Sequence, residues 1–117
     1  MKVKIVNRVM RTSDVDDMIS FQLMYYMFIN GKRYNASETR CLVLLAKNSD
    51  IKQADFCNMC VEAGIYTSGQ SARNFISKAV SDGTIVRDED KRLKMHEDVI
   101  IRVDGNVLFN LKFLYEQ

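Results

Sequence analysis

The 117-residue chain has no proline, no tryptophan, one histidine and three cysteines. With His96 as its only imidazole, it lacks the residues for most metal centres and catalytic triads. Three cysteines are an odd number, and without a secretion signal they read as reduced thiols in a cytoplasmic setting. Met1–Met10 alternates basic and apolar residues where a signal peptide would build an apolar core. Charge of one sign is also scarce. Lys and Arg total 17 against 15 Asp and Glu, and a formal +2 does not by itself announce a nucleic-acid partner. The longest apolar run, Leu23–Ile29, is far short of the roughly 20 residues that span a bilayer, so no membrane partner is expected. No internal repeat, low-complexity stretch or linker interrupts the chain.

What is present suits a globular protein. Hydrophobic residues make up 47% and charged residues 27%, which excludes a mostly disordered or collagen-like chain. The length supports one domain and leaves no room for two.

Residues 1–12 predict an N-terminal strand. Val3, Ile5 and Val9 share one parity and Lys2, Lys4 and Arg8 the other, the pattern of a half-buried strand with a basic outer face. With Arg11, that basic set either contacts phosphates or blunts a sheet edge against aggregation. Thr12-Ser13-Asp14 supplies helix-start chemistry, and Asp14, Asp16 and Asp17 suit the positive end of a helix better than a catalytic cluster. An apolar helix is expected over 13–30, ended by Asn30-Gly31. The same Asn-Gly pair also suits a hairpin turn, which leaves a strand at Phe21–Ile29 as the competitor. Either way this segment is apolar all round and has a face to spare for another chain. Phe21, Met24, Tyr25, Met27 and Phe28 are its candidate oligomer-interface residues.

Asn35-Ala36-Ser37-Glu38 has the spacing of a capping box for a helix through Lys47, with Cys41, Leu42, Leu44 and Leu45 inward. A second helix places Phe56, Met59, Cys60 and Ala63 at helical spacing before Gly64. Thr67-Ser68-Gly69-Gln70 reads as another cap, with Gln three residues on. The helix behind it runs to about Asp82 with an apolar stripe of Ala72, Phe75, Ile76, Ala79 and Val80. Thr84-Ile85-Val86 is a short strand, Arg87–Lys94 a charged turn, and Leu93-Lys94-Met95 a return strand. Over 98–116, Asp104-Gly105 signals a hairpin between Val99–Val103 and Asn106–Tyr115, whose apolar face is Val107, Phe109, Leu111, Phe113 and Tyr115.

Across 35–95 this order resembles a winged helix-turn-helix domain of the kind found in MarR-type regulators. Ala36–Lys47, Gln53–Glu62, Ser68–Asp82 and the exit Gly83-Thr84-Ile85-Val86-Arg87 carry the resemblance. The chain departs from the family in a long Cys60–Thr67 connection and an acidic wing tip, Asp88-Glu89-Asp90. The resemblance implies an α+β fold, a three-helix core with a wing. To this the flanking segments add an antiparallel sheet from the N-terminal strand and the C-terminal hairpin.

It also implies that the helix from Ser68 to Asp82 enters the major groove of double-stranded DNA. Arg73 has the donors for guanine or phosphate, and Gln70 and Asn74 those for adenine. Ser71 and Lys78 suit phosphates, and the helix start at Ser68 can approach one. Arg87, Lys91, Arg92 and Lys94 flank them from the wing. The alternative is a solvated helix face on a protein–protein module. Small phage-encoded proteins resembling this one use such a domain as a particle component, and the acidic wing and the apolar surplus at Phe21–Ile29 favour that role.

Other constellations have plainer explanations. Cys57 and Cys60, with Cys41 and His96, make a nominal zinc quartet, but the pair falls inside a predicted helix. Cys60 is expected in the core, Cys57 partly exposed and His96 facing solvent on the wing. Gly64, Gly69 and Gly83 form no phosphate-binding loop. Neither a catalytic residue nor a metal, cofactor or small-molecule substrate is expected. The expected partners are double-stranded DNA or other subunits of an assembly, together with self-association, in the cytoplasm or within a virion.

Overall fold

A computed structural model describes residues 1–10, 14–99, 101–104 and 106–116. Among these the order is β1 (Lys2–Met10), α1 (Val15–Ile29), α2 (Ala36–Lys47), β2 (Ile51–Lys52), α3 (Gln53–Glu62), α4 (Gly69–Ser81), β3 (Ile85–Arg87), β4 (Arg92–Met95) and β5 (Val107–Tyr115). The fold is α+β: helices with two small antiparallel sheets, β1-β5 and β2-β4-β3.

The segment Phe21–Ile29 is helix. Asp14 opens α1 by accepting the Asp17 N–H at 3.0 Å, while Thr12 and Ser13 lie outside the described residues. Met18, Ile19, Leu23 and Met27 form the inward stripe at three- and four-residue spacing. Met24, Tyr25, Phe28 and Ile29 face outward. One expected interface residue therefore needs correction. Met27 falls on the inward stripe, one turn beyond Leu23, and is buried. Phe21 is half-covered by β5, its ring 4.7 Å from that of Phe109.

The capping box of α2 is complete: Glu38 N donates to Asn35 Oδ1 at 2.8 Å, and Asn35 N to Glu38 Oε1 at 2.9 Å. Cys41, Leu42, Val43 and Leu45 of α2, Phe56, Cys57 and Cys60 of α3, and Ala72, Phe75, Ile76 and Ala79 of α4 build one core with Ile85 and Leu93 of the small sheet. Cys57 is thus fully buried, not partly exposed, because it packs beside Phe56 on the inner flank of α3. Ala63 is exposed and Met59 half-buried. The cap of α4 is Ser68, not Thr67. Its hydroxyl accepts Ser71 N at 3.3 Å, which leaves Gln70 free to bond elsewhere. Gly83, at φ +79°, reverses the chain into β3, a turn that a side chain would strain.

The C-terminal hairpin expected over 98–116 is not formed. β5 pairs along its whole length with β1, from Lys2 opposite Tyr115 to Met10 opposite Val107. The described residues of 99–103 lie in no strand, and Gly105 of the expected turn lies outside the described residues. Gln22 of α1 explains part of this. Its carboxamide donates to Arg102 O at 2.6 Å and accepts Arg102 N at 2.8 Å, occupying the groups a strand partner would use. Val99 turns inward.

The register has a second consequence. Directly opposed residues share a face, so the apolar parity of β5 lies beside the basic parity of β1: Phe109 opposes Arg8, Phe113 opposes Lys4 and Tyr115 opposes Lys2. The base of this face, with Val6, Val107 and Phe109 half-buried, rests on α1. The apolar parity of β1 is on the other face and open to solvent, so Val3, Ile5 and Val9 are not half-buried as their alternation predicts.

Candidate nucleic-acid interface

The apolar stripe of α4 sits on α2 and α3, and its opposite flank points outward. Gln70, Arg73, Asn74, Ser77 and Lys78 are all exposed, while Ser71 is half-buried behind the cap. On this flank the polar groups bond to one another. Arg73 donates to Gln70 Oε1 at 3.0 Å, and Gln70 Nε2 donates to Asn74 Oδ1 at 2.8 Å. Such a chain is held in water and can exchange its partners for base edges or phosphates.

The other cations divide into two groups. Lys78 is tied to the body: its ammonium lies 2.9 Å from Glu38 Oε2 and 5.4 Å from the centre of the Tyr34 ring. Arg87 donates to Gln53 Oε1 and Arg92 to the Asp50 carbonyl, both at 2.8 Å. Arg92 is thereby half-buried and serves the β2–β4 junction. Arg73, Lys91 and Lys94 are the more open members of the expected set.

Pairing of β2 with β4, together with the Gln53 N–H donating to Lys91 O at 2.8 Å, brings the start of α3 against the β3–β4 turn. A shallow groove of about 300 Å³ results, bordered by Lys52 and Gln53 of the α3 start, Arg73 of α4, and Asp90 and Lys91 of the β3–β4 turn. Lys52 and Gln53 were not legible as site residues in the sequence. Their position depends on a two-residue strand paired with a segment 40 residues away, and neither belongs to a local motif.

The acidic run Asp88-Glu89-Asp90 in the β3–β4 turn has a structural explanation. Asp88 Oδ1 accepts both Asp90 N and Arg92 N at 2.9 Å, which folds the turn in which Lys91 adopts φ +59°. Asp88 is therefore a turn residue; Glu89 and Asp90 remain exposed carboxylates that offset the cations nearby.

Behind α4, Tyr34 joins the helix end to the sheet. Its hydroxyl is 2.7 Å from Thr84 Oγ1 and donates to Asp82 at 3.1 Å. Burial, reinforced by Asp82, pushes its phenol up to about 12, so it stays neutral across the physiological range. Lys32 donates to the Asp82 carbonyl and closes the same corner.

The nominal zinc quartet does not assemble. Cys41 Sγ and Cys60 Sγ lie 3.4 Å apart in the core, while His96 bonds at the surface to Asp98. Among the described residues no three His, Cys, Asp or Glu side chains converge as metal ligands. The hydrogen bond from Cys41 to Cys60 and burial both hold the Cys41 thiol protonated. Among these residues no helix is long and apolar enough to cross a membrane. No family model, curated protein or solved structure matches this chain.

Proposed function

We propose that the chain is a non-catalytic winged-helix binding module that contacts double-stranded DNA through α4 and the wing. The observation that carries this reading is the placement of α4. Its apolar side is packed in the core with α2 and α3, its Gln70–Arg73–Asn74 flank faces outward, and Arg73 of that flank borders the groove between the α3 start and the β3–β4 turn. The helix–strand–helix–helix–hairpin order and the β2-β4-β3 sheet support the same reading. In it Arg73, Gln70 and Asn74 read base edges, and Lys52, Lys91 and Lys94 hold phosphates. Lys78 contributes less, because Glu38 already holds it.

Duplex binding followed by fluorescence anisotropy against salt tests the proposal. Affinity is expected to fall steeply with salt, and Lys91→Ala with Lys94→Ala should flatten the slope by about two phosphate units. Binding to genomic fragments that is absent, or indifferent to salt, rejects it.

A second reading, a subunit of a phage particle or similar assembly, is favoured by one observation. The outer side of α1 and much of the β1–β5 ribbon expose large apolar side chains, among them Phe28 at 88% and Leu108 at 65%.

A further inference from the structure

We infer that β5 is the seam of a symmetric dimer: its outer edge pairs antiparallel with β5 of a second copy of this chain, about a two-fold axis at Leu111. The inference does not depend on the DNA reading, and its test involves no nucleic acid.

The two edges of the ribbon differ in charge. Among the described residues neither has a further strand partner. Lys2, Lys4 and Arg8 lie along β1. Pairing two β1 strands about Val6 would set Lys4 against Arg8 of the other copy, an opposition of like charges. β5 carries one charge, Lys112. Its sequence, Val107-Leu108-Phe109-Asn110-Leu111-Lys112-Phe113-Leu114-Tyr115, has nearly the same pattern in both directions about Leu111. An antiparallel partner in that register places Phe109 opposite Phe113, Leu108 opposite Leu114 and Val107 opposite Tyr115. Lys112 then meets the carboxamide of Asn110. Apolar residues meet apolar ones throughout, and no two charges of like sign face each other.

The α1 side of the ribbon supplies an independent argument for the same occupant. A groove of about 550 Å³ runs between Phe21, Tyr25 and Ile29 of α1 and Val107, Phe109 and Leu111 of β5. Phe113 and Tyr115, 51% and 45% exposed, share the face of Phe109 and Val107. In the paired register, Phe113 and Tyr115 of the second copy lie alongside Phe109 and Val107, over this groove. Symmetry repeats the contact, so each ribbon tip covers the groove of the other copy. Nine residues at about 3.4 Å each give a seam of about 30 Å. A standard interface takes about 800 Å² per partner, roughly a tenth of the 7969 Å² surface. Because the two-fold uses β5 on both sides, the assembly closes at two copies and leaves the cation-lined β1 edges outermost.

Sedimentation equilibrium of the full chain from nanomolar to about 100 µM tests the inference. A monomer–dimer equilibrium without higher species is expected. Asn110→Asp places a carboxylate opposite Lys112 twice and should tighten the dimer about fivefold. Asn110→Lys sets two like-charged pairs and should loosen it at least as much. Asn110 is exposed and faces Asn7 within its own ribbon, so both substitutions leave the monomer fold in place. Leu111→Cys should yield a disulfide-linked dimer on mild oxidation, because directly opposed Cβ atoms lie about 5 Å apart. The native cysteines are at most 2% exposed and do not compete. A monomer at every concentration overturns the inference. So does a dimer that ignores both Asn110 substitutions and fails to cross-link at position 111.

Discussion

The unit from α2 to β4 and the β1–β5 ribbon solve different problems. In the first, Leu42, Leu45, Phe56, Ile76 and Leu93 are fully buried, and the outer polar groups are bonded to one another or to the body. In the second, Val3, Ile5, Leu108, Phe113 and Leu114 stand open on both faces of two strands. A two-stranded ribbon is marginal in water by itself. This one also joins opposite ends of the described chain, so its pairing closes a long loop. The contrast teaches that apolar content and folding stability are separable. The helical unit spends its apolar residues on its own core, whereas the ribbon leaves them exposed.

The largest effect that can break this comparison is in the core. Phe56→Ala should cost about 3–5 kcal/mol in urea unfolding, the range for a buried aromatic. Phe113→Ala, measured where the chain is monomeric, should cost less than about 1 kcal/mol. Equal losses would show that the ribbon is as integral to the monomer as the helices.

Hydrogen exchange gives a smaller but more local contrast. Amides of β1 and β5 should open at least about tenfold more readily than those of α2 and α4 in dilute protein, a gap of about 1.4 kcal/mol. Their protection should then rise with concentration as the seam forms. Uniform protection at high dilution would erase the distinction between the two regions. A step down, Gln22→Ala removes the two hydrogen bonds that hold Arg102 against α1. It should cost about 1 kcal/mol and speed exchange in the ribbon selectively.

How far the sequence revealed this arrangement follows the same division. The α2 capping box, the α4 stripe and the short strands β3 and β4 were legible because each is set by residues within one or two turns of each other. The outward flank of α4 was legible for the same reason. The pairing of β5 was legible in part: the expected sheet of N-terminal and C-terminal strands is present as β1–β5, but the hairpin strand expected over 99–103 is not. Asp104-Gly105 is a local turn signal pointing to 99–103, whereas the actual partner begins at Lys2 and is selected by contacts remote in sequence. Nor does alternation reveal register: each strand alone predicts one apolar and one polar face, yet pairing superposes the apolar face of β5 on the basic one of β1. Within the candidate site, Lys78 looked as open as Arg73 because Glu38, which holds it, is 40 residues away.

The last and smallest effect concerns that pair and asks how completely the polar flank is satisfied from within. Burial pushes the Glu38 carboxyl up, but the Asn35 backbone N–H and the Lys78 ammonium draw it down, and the balance lies below the ordinary carboxylate value. A carboxyl depressed in the folded state stabilises above its unfolded value, about 4.3. That stability is lost as pH falls through the lower folded value. Glu38→Gln keeps a group able to accept the Asn35 N–H and removes only the charge. It should cost about 0.5 kcal/mol at pH 7, the scale of a partly exposed ion pair. The deficit should shrink towards zero as the wild-type carboxyl protonates at acid pH, read as the difference in urea midpoints between the two proteins. The same substitution releases Lys78 for an outside anion, so the salt slope of duplex binding should steepen by up to about one unit. A deficit that is constant with pH would show that the charge of Glu38 is irrelevant and that Lys78 was never held back from the exposed face of α4.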